Sequence, residues 1–408
     1  MALLSPSNTE LQNKAALQEK YPPVPKMCVV TGGTGFVGQR LVEMLVERGA
    51  ERVVSFDIVP PPAGAWQHPR IQYVVGDITD PAAVSAACKG ADCVWHLAAA
   101  VGPFHPRGLY VRVNYEGSLN LIKACKEQKV RKLVMSSSPS TRFTGADING
   151  LTEDELPEIP MPSYLQDYAA TKALGERAVR DACSDDLLTI AVAPHQVYGP
   201  RDNLFMPNML EAAGTGRLRI FAAPRTGNGY NRVCYTHVDN YCHGLIISER
   251  TLVKGSPTLG KFYIVTDGDT HPFKEGYAHL WKSFDEVVVG LGFQSVWSKF
   301  KLPTWLLMPL AIIATLIGWV LGKRFKLNVF NITVLTMHRW FRIGKAQKDL
   351  QYKPIISYAD GWPDTIEWFR RHWLPKFKEM QQGLIGIATQ TQKKIDIQSS
   401  GKKGVKAQ

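Results

Sequence analysis

Short apolar runs alternate with longer amphipathic segments through the first half of the chain. The apolar runs have the length of buried strands, and they predict strands at Met27–Thr31, Arg52–Ile58, Ile71–Gly76, Cys93–Ala98, Lys132–Ser136 and Leu188–Ala193. Segments with helical spacing lie between them, for instance at Gly35–Arg48, Tyr115–Gln128 and Ser163–Cys183. Strands that alternate with helices predict an α/β fold with a doubly wound parallel sheet of the Rossmann type.

Changes in composition divide the chain into six regions. We predict a disordered lead-in at 1–25, a Rossmann domain at 26–200, a smaller substrate region that completes the fold at 201–298, a hydrophobic membrane-associating segment at 299–340, a return to the substrate region at 341–380 and a basic disordered tail at 381–408. The two ends are assigned to disorder because they are polar and poor in large apolar residues.

The segment Leu302–Leu321 contains no charged residue and is about long enough to cross a bilayer. Basic residues flank it on both sides, at Lys299, Lys301, Lys323, Arg324 and Lys326. A simple span would place 345–378 across the membrane from the domain that it helps to complete, and Pro303 and Pro309 disfavour a straight helix. We therefore expect an element that dips into one leaflet, paired with the apolar run Leu327–Met337. A true span and a buried core helix are the alternatives.

The net charge of +12 is concentrated in the last part of the 408-residue chain. From Gln294 onward there are 19 Lys and Arg against 6 Asp and Glu, whereas the preceding residues carry 29 against 30. A local basic region argues against general nucleic-acid binding and favours an anionic membrane surface as a partner. The seven cysteines are scattered without a CxxC pair, so the sequence indicates a reducing compartment and neither a disulfide framework nor a metal site.

A glycine-rich turn follows the first predicted strand directly and precedes a helix, over Thr31–Gly38. In a dinucleotide-binding turn, Gly32 allows the tight bend, Gly35 lets the backbone approach the pyrophosphate, and Gly38 lets the helix and strand pack closely. Because strand, turn and helix occur in the required order, the sequence predicts a bound dinucleotide.

Acidic residues follow the next two predicted strands. Asp57 stands where a carboxylate holds the adenosine ribose diol and repels a 2′-phosphate, so the cofactor is predicted to be NAD rather than NADP. Asp77 and Ile78 follow the third strand and are placed to meet the adenine. A capping or turn role is the alternative for each aspartate.

Tyr168 and Lys172 are four residues apart, so on a helix they would lie one turn apart on the same face. A tyrosine hydroxyl can exchange a proton with a substrate oxygen, and a neighbouring ammonium group is expected to lower its pKa from the ordinary value of about 10. Ser138 closes the serine run after the fifth strand, where a hydroxyl can hold the substrate oxygen against the tyrosine. Together the three residues predict hydride transfer to or from an alcohol carbon.

These motifs resemble those of the extended short-chain dehydrogenases and, more narrowly, of the 3β-hydroxysteroid dehydrogenase family. The resemblance covers residues 26–375 and rests on TGGTGFVG (31–38), VMSSS (134–138), YAATK (168–172), PHQVYGPRD (194–202), YTHVDNYCHG (235–244) and the segment 346–369, which begins AQKDLQYKP. The His195 form of the fourth motif is similar to the decarboxylating sterol-4α-carboxylate 3-dehydrogenase branch of that family.

The resemblance implies a role for each matching residue. Tyr168 would be the general base, Lys172 would lower its pKa and hold the nicotinamide ribose, and Ser138, with Ser137 in reserve, would bind the substrate oxygen. Asn114 would brace the site or cap a helix. Further cofactor contacts are expected at Phe36, Val37, Leu97, Ala98, Ala99, Pro194 and Val197.

Three positions depart from the family pattern. Ala193 stands where members usually carry Arg, and Cys234 stands where they usually carry an acidic residue. Arg142 stands where relatives tend to be apolar. The first two departures imply a cofactor and substrate pocket whose detailed shape differs from the family pattern.

The resemblance implies NAD-dependent oxidation of the 3β-hydroxyl of a 4α-carboxysterol, with loss of CO₂ to a 3-ketosteroid. Oxidation beside a carboxylate gives a β-keto acid, which loses CO₂ through an enolate without a dedicated residue. Arg142, His195 and Arg201 are the candidates for holding the carboxylate, each with a structural alternative. The rival functions are a 3β-hydroxysteroid dehydrogenase/isomerase, a nucleotide-sugar epimerase or dehydratase, and a dinucleotide-sensing scaffold.

The same resemblance and the hydrophobic segment together imply partners and a location. We expect a sterol substrate that enters from lipid, residence at the endoplasmic reticulum membrane with the catalytic domain facing the cytosol, and contact with other enzymes of sterol C4 demethylation. A homodimer is a further expectation.

Overall fold

Strands and helices alternate along most of the chain in the computed structural model, which describes residues 21, 23–102, 105–223, 228–321, 325 and 327–382. The strands are β1 Met27–Thr31, β2 Arg52–Asp57, β3 Ile71–Val75, β4 Cys93–His96, β5 Lys132–Ser136, β6 Ile148–Leu151, β7 Leu188–Pro194, β8 Val197–Tyr198, β9 Phe221–Ala222, β10 Arg232–Val233, β11 Thr236–His237, β12 Phe262–Val265, β13 Ala278–His279, β14 Leu302–Pro303 and β15 Arg339–Phe341. Most of the predicted lead-in and the predicted tail from residue 383 lie outside the described residues.

The α-helices are α1 Phe36–Glu47, α2 Pro81–Cys88, α3 Arg107–Tyr110, α4 Gly117–Glu127, α5 Asp167–Asp181, α6 Phe205–Gly214, α7 Val238–Arg250, α8 Leu280–Gly290, α9 Thr304–Val320, α10 Val329–Thr336, α11 Gly344–Asp349, α12 Tyr358–His372 and α13 Leu374–Gln382. A π-helical segment covers Val111–Glu116, between α3 and α4. Short 3-10 turns cover Pro139–Arg142, Glu153–Glu155, Gly268–Thr270 and Val296–Ser298.

Seven parallel strands form the central sheet in the order β12–β7–β5–β4–β1–β2–β3. The predicted doubly wound parallel sheet is thereby confirmed, and the six predicted strands fall within two residues of their observed bounds. The seventh strand, Phe262–Val265, was not predicted because a four-residue apolar run has no period that separates a strand from other buried segments.

Side chains alternate between two cores along each central strand, as a sheet covered on both faces requires. On β4, Cys93 and Trp95 face a core that includes α1 and α7, whereas Val94 faces a core that includes α2 and α4. The Trp95 indole donates to the carbonyl oxygen of Leu245 at 3.1 Å and ties β4 to α7. Helices therefore pack on both faces of the sheet.

A second sheet, in the order β13–β10–β15–β6, brings the late part of the chain back to the Rossmann domain. β15 runs parallel to both β6 and β10. A separate core includes Ala193 from β7, Ile264 from β12 and Phe341 from β15. The segment after the hydrophobic region is thus built into the catalytic fold and lies beside the carboxyl end of β7.

Helices α9 and α10 pack against each other through a small cluster of Leu307, Ala311 and Ile332. Pro309 lies inside α9, and the helix continues beyond it to Val320. Most other large apolar side chains of this helix face outward, including Trp305 at 73% exposure, Leu316 at 59% and Val320 at 74%. Within the described part of the chain, no helix has both the length and the apolarity that crossing a bilayer requires.

Candidate active site

A tight turn after β5 carries the serine of the site. Ser136 ends the strand, and Ser138 then caps the 3-10 turn Pro139–Arg142, with its hydroxyl oxygen accepting from the Ser140 backbone N–H at 3.3 Å. Serine followed by proline is a favourable start for such a turn, because the hydroxyl satisfies a free N–H group and proline lacks one. The turn holds Ser138 at the carboxyl edge of the sheet, where ligands bind in open α/β folds.

Tyr168 and Lys172 lie one turn apart on α5, as predicted. The Lys172 ammonium is buried and donates to the carbonyl oxygen of Ser136 at 2.8 Å. The Ser138 side chain lies close enough to the Tyr168 hydroxyl to lower its pKa. The structure thus brings the three predicted catalytic residues together where β5 ends and α5 begins.

The electrostatics of the tyrosine differ from the prediction. Burial raises the pKa of Tyr168 to about 12, and the neighbouring Ser138 side chain only partly opposes that rise. Burial lowers the pKa of Lys172 to about 8, against the opposing effect of the Glu176 carboxylate. Desolvation therefore exceeds the expected stabilisation of the phenolate by the lysine, whose ammonium group is directed to the Ser136 carbonyl.

Glu176, the next residue along the same face of α5, is the structural centre of this region. Its carboxylate is fully buried and accepts from the Ser137 hydroxyl at 2.6 Å and from both terminal nitrogens of Arg142 at 2.6 and 3.0 Å. Arg180 adds a contact at 3.3 Å. This role was not predicted, although the spacing of 168, 172, 176 and 180 places all four residues on one helix face.

The structure contradicts the proposed substrate role of Arg142. Its guanidinium group is buried, pairs in a bidentate manner with Glu176 and stacks on the ring of Phe262 at 3.6 Å. Removing it would leave the Glu176 carboxylate buried with less compensation, which is costly. Arg142 is therefore a structural residue.

The other two candidates for the substrate carboxylate are also held by protein groups. Arg201 pairs in a bidentate manner with Glu43 of α1, at 2.6 and 2.8 Å. The His195 ring is buried, donates from Nδ1 to the Cys234 carbonyl oxygen at 2.8 Å and accepts at Nε2 from Arg339 at 3.3 Å. Burial, and then the charge of Arg339, hold the pKa of His195 well below its ordinary value. A neutral ring with both nitrogens engaged does not offer a charge to an anion.

The glycine turn has the close contacts that a dinucleotide site requires. A Cβ atom on Gly38 would lie 2.0 Å from the Gly32 carbonyl oxygen, and Gly32 itself has a φ of +72°. The Asp57 carboxylate accepts from the Thr34 backbone N–H at 3.1 Å, which fixes it beside the turn. Among the described residues no Lys or Arg forms a salt bridge with Asp57. These features fit a dinucleotide with an unmodified adenosine ribose.

The loop after β4 is fixed to the glycine strand and to α5. The backbone N–H groups of Leu97 and Ala98 donate to Thr31, at 3.0 and 3.2 Å. Asn114 is buried in the π-helical segment, where it bonds the backbone of Ala100 and the Thr171 hydroxyl next to Lys172. Asn114 caps no helix, so its predicted bracing role is the one that the geometry supports.

The remaining predicted cofactor residues lie around the same edge. Asp77 forms a turn by accepting from the Thr79 backbone N–H at 2.9 Å, while Phe36 and Ile78 have buried side chains. Val37 is the second residue of α1, Ala99 lies in the loop after β4, Pro194 ends β7 and Val197 begins β8. Contact of any of these residues with a cofactor stays a prediction.

The family model described as the 3-beta hydroxysteroid dehydrogenase/isomerase family matches residues 29–289. The chain belongs to this family. It is 32% identical over 359 residues to the mouse (Mus musculus) sterol-4-alpha-carboxylate 3-dehydrogenase, decarboxylating, with 86% of this chain and 93% of that protein covered. It is also 31% identical over 341 residues to 2-alkyl-3-oxoalkanoate reductase of Stenotrophomonas maltophilia, with 82% and 96% covered.

Solved structures of the same fold include MoeE5 in complex with UDP-glucuronic acid and NAD. That protein superimposes with a TM-score of 0.61 at 22% identity, over 85% of this chain and 99% of its own. At this level of identity the likeness supports the Rossmann-type fold alone.

Within this family, the two departures at Ala193 and Cys234 fall in one place. Both side chains are fully buried in the core that joins the central sheet to the second sheet. The Cys234 thiol also lies 3.4 Å from His195 Nδ1. The two positions at which the resemblance implies a charged residue are thus uncharged here, and His195, which pairs with Arg339, lies beside Cys234.

Replacing Lys172 with Met is expected to abolish catalysis yet stabilise the fold at neutral pH. The folded pKa of about 8 lies below the ordinary 10.5, so the unfolded chain binds the proton more tightly and the wild type gains stability as pH rises from about 8 to 10.5. The buried charge costs on the order of 3 kcal/mol at pH 7, and Lys172→Met removes that cost. Thermal unfolding should show an advantage for the variant at pH 7 that shrinks towards pH 10.

The lost bond to the Ser136 carbonyl opposes this gain, so the pH trend is the diagnostic quantity. Lys254→Met, which removes an exposed lysine, serves as the control and should show no such trend. A difference in unfolding temperature between Lys172→Met and wild type that stays constant from pH 7 to pH 10 would contradict the buried charge.

Proposed function

We propose that this protein oxidises the 3β-hydroxyl of a 4α-carboxysterol with NAD as hydride acceptor and with loss of CO₂, giving a 3-ketosteroid. The observation that carries the proposal is the placement of Tyr168, Ser138 and the buried ammonium of Lys172 together at the carboxyl edge of a dinucleotide-binding sheet. The similarity to the mouse decarboxylating dehydrogenase along most of both chains supports the choice of substrate.

The residues present suit a proton transfer at the substrate oxygen. A bound NAD would supply the hydride acceptor, held by the glycine turn and by Asp57. The Ser138 hydroxyl would hold the alcohol oxygen, and the Tyr168 phenolate would accept its proton. Because burial sets the pKa of Tyr168 near 12 even with Lys172 beside it, deprotonation needs further positive charge in the cleft.

Loss of CO₂ would follow from the product of oxidation. With a ketone at C3, the bond between C4 and the carboxyl carbon breaks, and its electron pair passes to the carbonyl oxygen as an enolate. The Ser138 and Tyr168 hydroxyls can donate to that oxygen, and hydrogen bonds of this kind stabilise developing negative charge. Protonation at C4 by solvent then completes the 3-ketosteroid.

A related chemistry is suggested by the bacterial relative, whose name describes a 3-oxo acid. In an acid of that kind and in an oxidised 4α-carboxysterol alike, the carbonyl carbon is bonded directly to the carbon that bears the carboxylate. Oxidation of a 3β-hydroxysteroid without a carboxylate and sugar-nucleotide epimerisation remain rivals. Release of CO₂ with the 3-ketone separates the proposed function from both.

Replacing Tyr168 with Phe should lower kcat by about 10²–10⁴-fold, because the base is removed. NAD binding should persist, since the turn and Asp57 are unchanged. NADH formation and the dissociation constant for NAD are the two measurements. Tyr164→Phe is the control on the same segment, because in the described structure the Tyr164 hydroxyl accepts only a backbone N–H. The Tyr164 variant should retain turnover. Substantial activity in the Tyr168 variant would remove the assignment.

We further propose that α9 and α10 insert into one leaflet of a lipid bilayer. Among the described residues of α9, eight large apolar side chains are exposed, and exposed apolar side chains gathered on one element are typical of a contact with lipid or with another protein. No Asp or Glu occurs between Glu286 and Asp349, whereas Lys299, Lys301 and the basic residues after Leu321 flank the helix. Apolar side chains bordered by basic ones match an anionic lipid surface.

Membrane insertion can be tested by flotation with vesicles of zwitterionic and anionic lipid. Changing Ile313, Leu316 and Ile317 together to Ser should lower the vesicle-bound fraction several-fold, because apolar burial in lipid is lost. A matched triple change to Ser at exposed apolar residues elsewhere, Leu119, Val253 and Val289, should leave it unchanged. Equal flotation of the two triple variants would contradict the proposal.

The finer aspects of location and assembly remain predictions. Residence on the cytosolic side of the endoplasmic reticulum would suit a sterol that enters from lipid, and the seven free cysteines fit a reducing compartment. A homodimer and contacts with other enzymes of sterol C4 demethylation are expected from the family resemblance.

A further inference from the structure

Arg339 is buried without a carboxylate partner. The residue is only 5% exposed. Among the described residues, no Asp or Glu lies within salt-bridge distance of its guanidinium group. Its Nε–H has no hydrogen-bond partner, while one terminal nitrogen donates to His195 Nε2 at 3.3 Å. A buried arginine normally pairs with an anion, because an unpaired buried charge is costly.

The contrast with the other buried or half-buried arginines near the site is direct. Arg142 and Arg201 each hold a glutamate through both terminal nitrogens. In the described part of the chain, the guanidinium group of Arg339 donates only to the neutral imidazole of His195. Its other N–H groups bind no carboxylate there. Burial lowers its pKa to about 10, which leaves it charged at neutral pH.

Arg339 lies beside the catalytic edge of the sheet. It opens β15, and strand alternation places it on the same face as Phe341, which contacts the His195 ring at 5.4 Å between centroids. His195 directly follows β7, whose carboxyl end borders β5 and the serine turn. The His195 ring also contacts Phe143, the residue that closes the turn begun by Ser138. The His195 ring thus contacts both Arg339 and the residue that ends the serine turn.

We propose that Arg339, oriented by His195, binds the carboxylate of the substrate. This proposal rests on the proposed function and names the residue that gives the site its preference for a carboxylated alcohol. The geometry suits the task because His195 donates from Nδ1 to the Cys234 carbonyl, which leaves Nε2 as the acceptor that fixes one nitrogen of Arg339. The remaining nitrogens of the guanidinium group can then meet an anion.

The bond between Arg339 and the carboxylate acts on the ground state of the decarboxylation step. A carboxylate held by arginine must give up its charge when CO₂ leaves, so tight binding of that group favours substrate capture rather than bond cleavage. Loss of Arg339 is therefore expected to raise KM more than it lowers kcat. After CO₂ has left, the neutral 3-ketosteroid no longer pairs with Arg339, which favours release of the product.

The test compares Arg339→Met with wild type on two substrates, a 3β-hydroxy-4α-carboxysterol and the same sterol without the carboxylate. We expect KM for the carboxylated sterol to rise about tenfold or more, while KM for the plain sterol and the dissociation constant for NAD change less than about threefold. Arg339→Lys, which keeps the charge, should recover part of the loss.

Arg48→Met is the matched control. Arg48 is another buried arginine that contacts a histidine ring nitrogen, with 3.0 Å between its terminal nitrogen and His243 Nδ1, but it lies at the end of α1 away from the serine turn. This variant should affect both substrates alike. It therefore reports what the loss of a buried arginine does to the fold in general.

The outcomes separate this inference from the proposed function. Wild type that shows no turnover of the carboxylated sterol would refute the proposed function and the inference together. Wild type that is active, with an Arg339→Met variant that loses both substrates equally or neither, would refute the inference alone. A weakened NAD affinity in Arg339→Met without any preference between the sterols would assign Arg339 to the cofactor and would also overturn it.

Discussion

A buried carboxylate on α5 holds the catalytic turn to the catalytic helix. Glu176 accepts the Ser137 hydroxyl and the guanidinium group of Arg142, so the turn that carries Ser138 is tied at both ends to the helix that carries Tyr168 and Lys172. A carboxylate that is removed from water needs such partners, and losing one of them costs more than an exposed contact would. Because the proton transfer depends on the distance from Ser138 to Tyr168, the position of the reacting groups rests on this buried pair.

Much of the fold could be predicted because its signals are local. The apolar runs before Gly32 and Ser137 have the length of buried strands, and the spacing of Tyr168 and Lys172 is a property of any helix. The strand Phe262–Val265 escaped prediction because its run is too short to show a period. The raised pKa of Tyr168 was not predicted, because it depends on residues of other elements that pack around the ring, such as Tyr110.

The assignment of charged residues to roles was the weaker part of the prediction, because an arginine in a sequence does not show its partner. Arg142 and Arg201 were candidates for the substrate carboxylate, yet Glu176 and Glu43 hold them. The family pattern at Ala193 and Cys234 hinted at a changed pocket, and the structure places both beside His195. Arg339 lies 144 residues from His195 along the chain, so only the fold could bring them together.

The central claim is that oxidation at C3 and loss of the neighbouring carboxylate occur at one site. The most direct measurement incubates the purified protein, in lipid vesicles, with NAD and a 3β-hydroxy-4α-carboxysterol labelled in its carboxyl carbon. The account predicts that labelled CO₂, NADH and the 3-ketosteroid appear in equal amounts. NADH that forms while the label stays on the sterol, or no NADH at all, would contradict it.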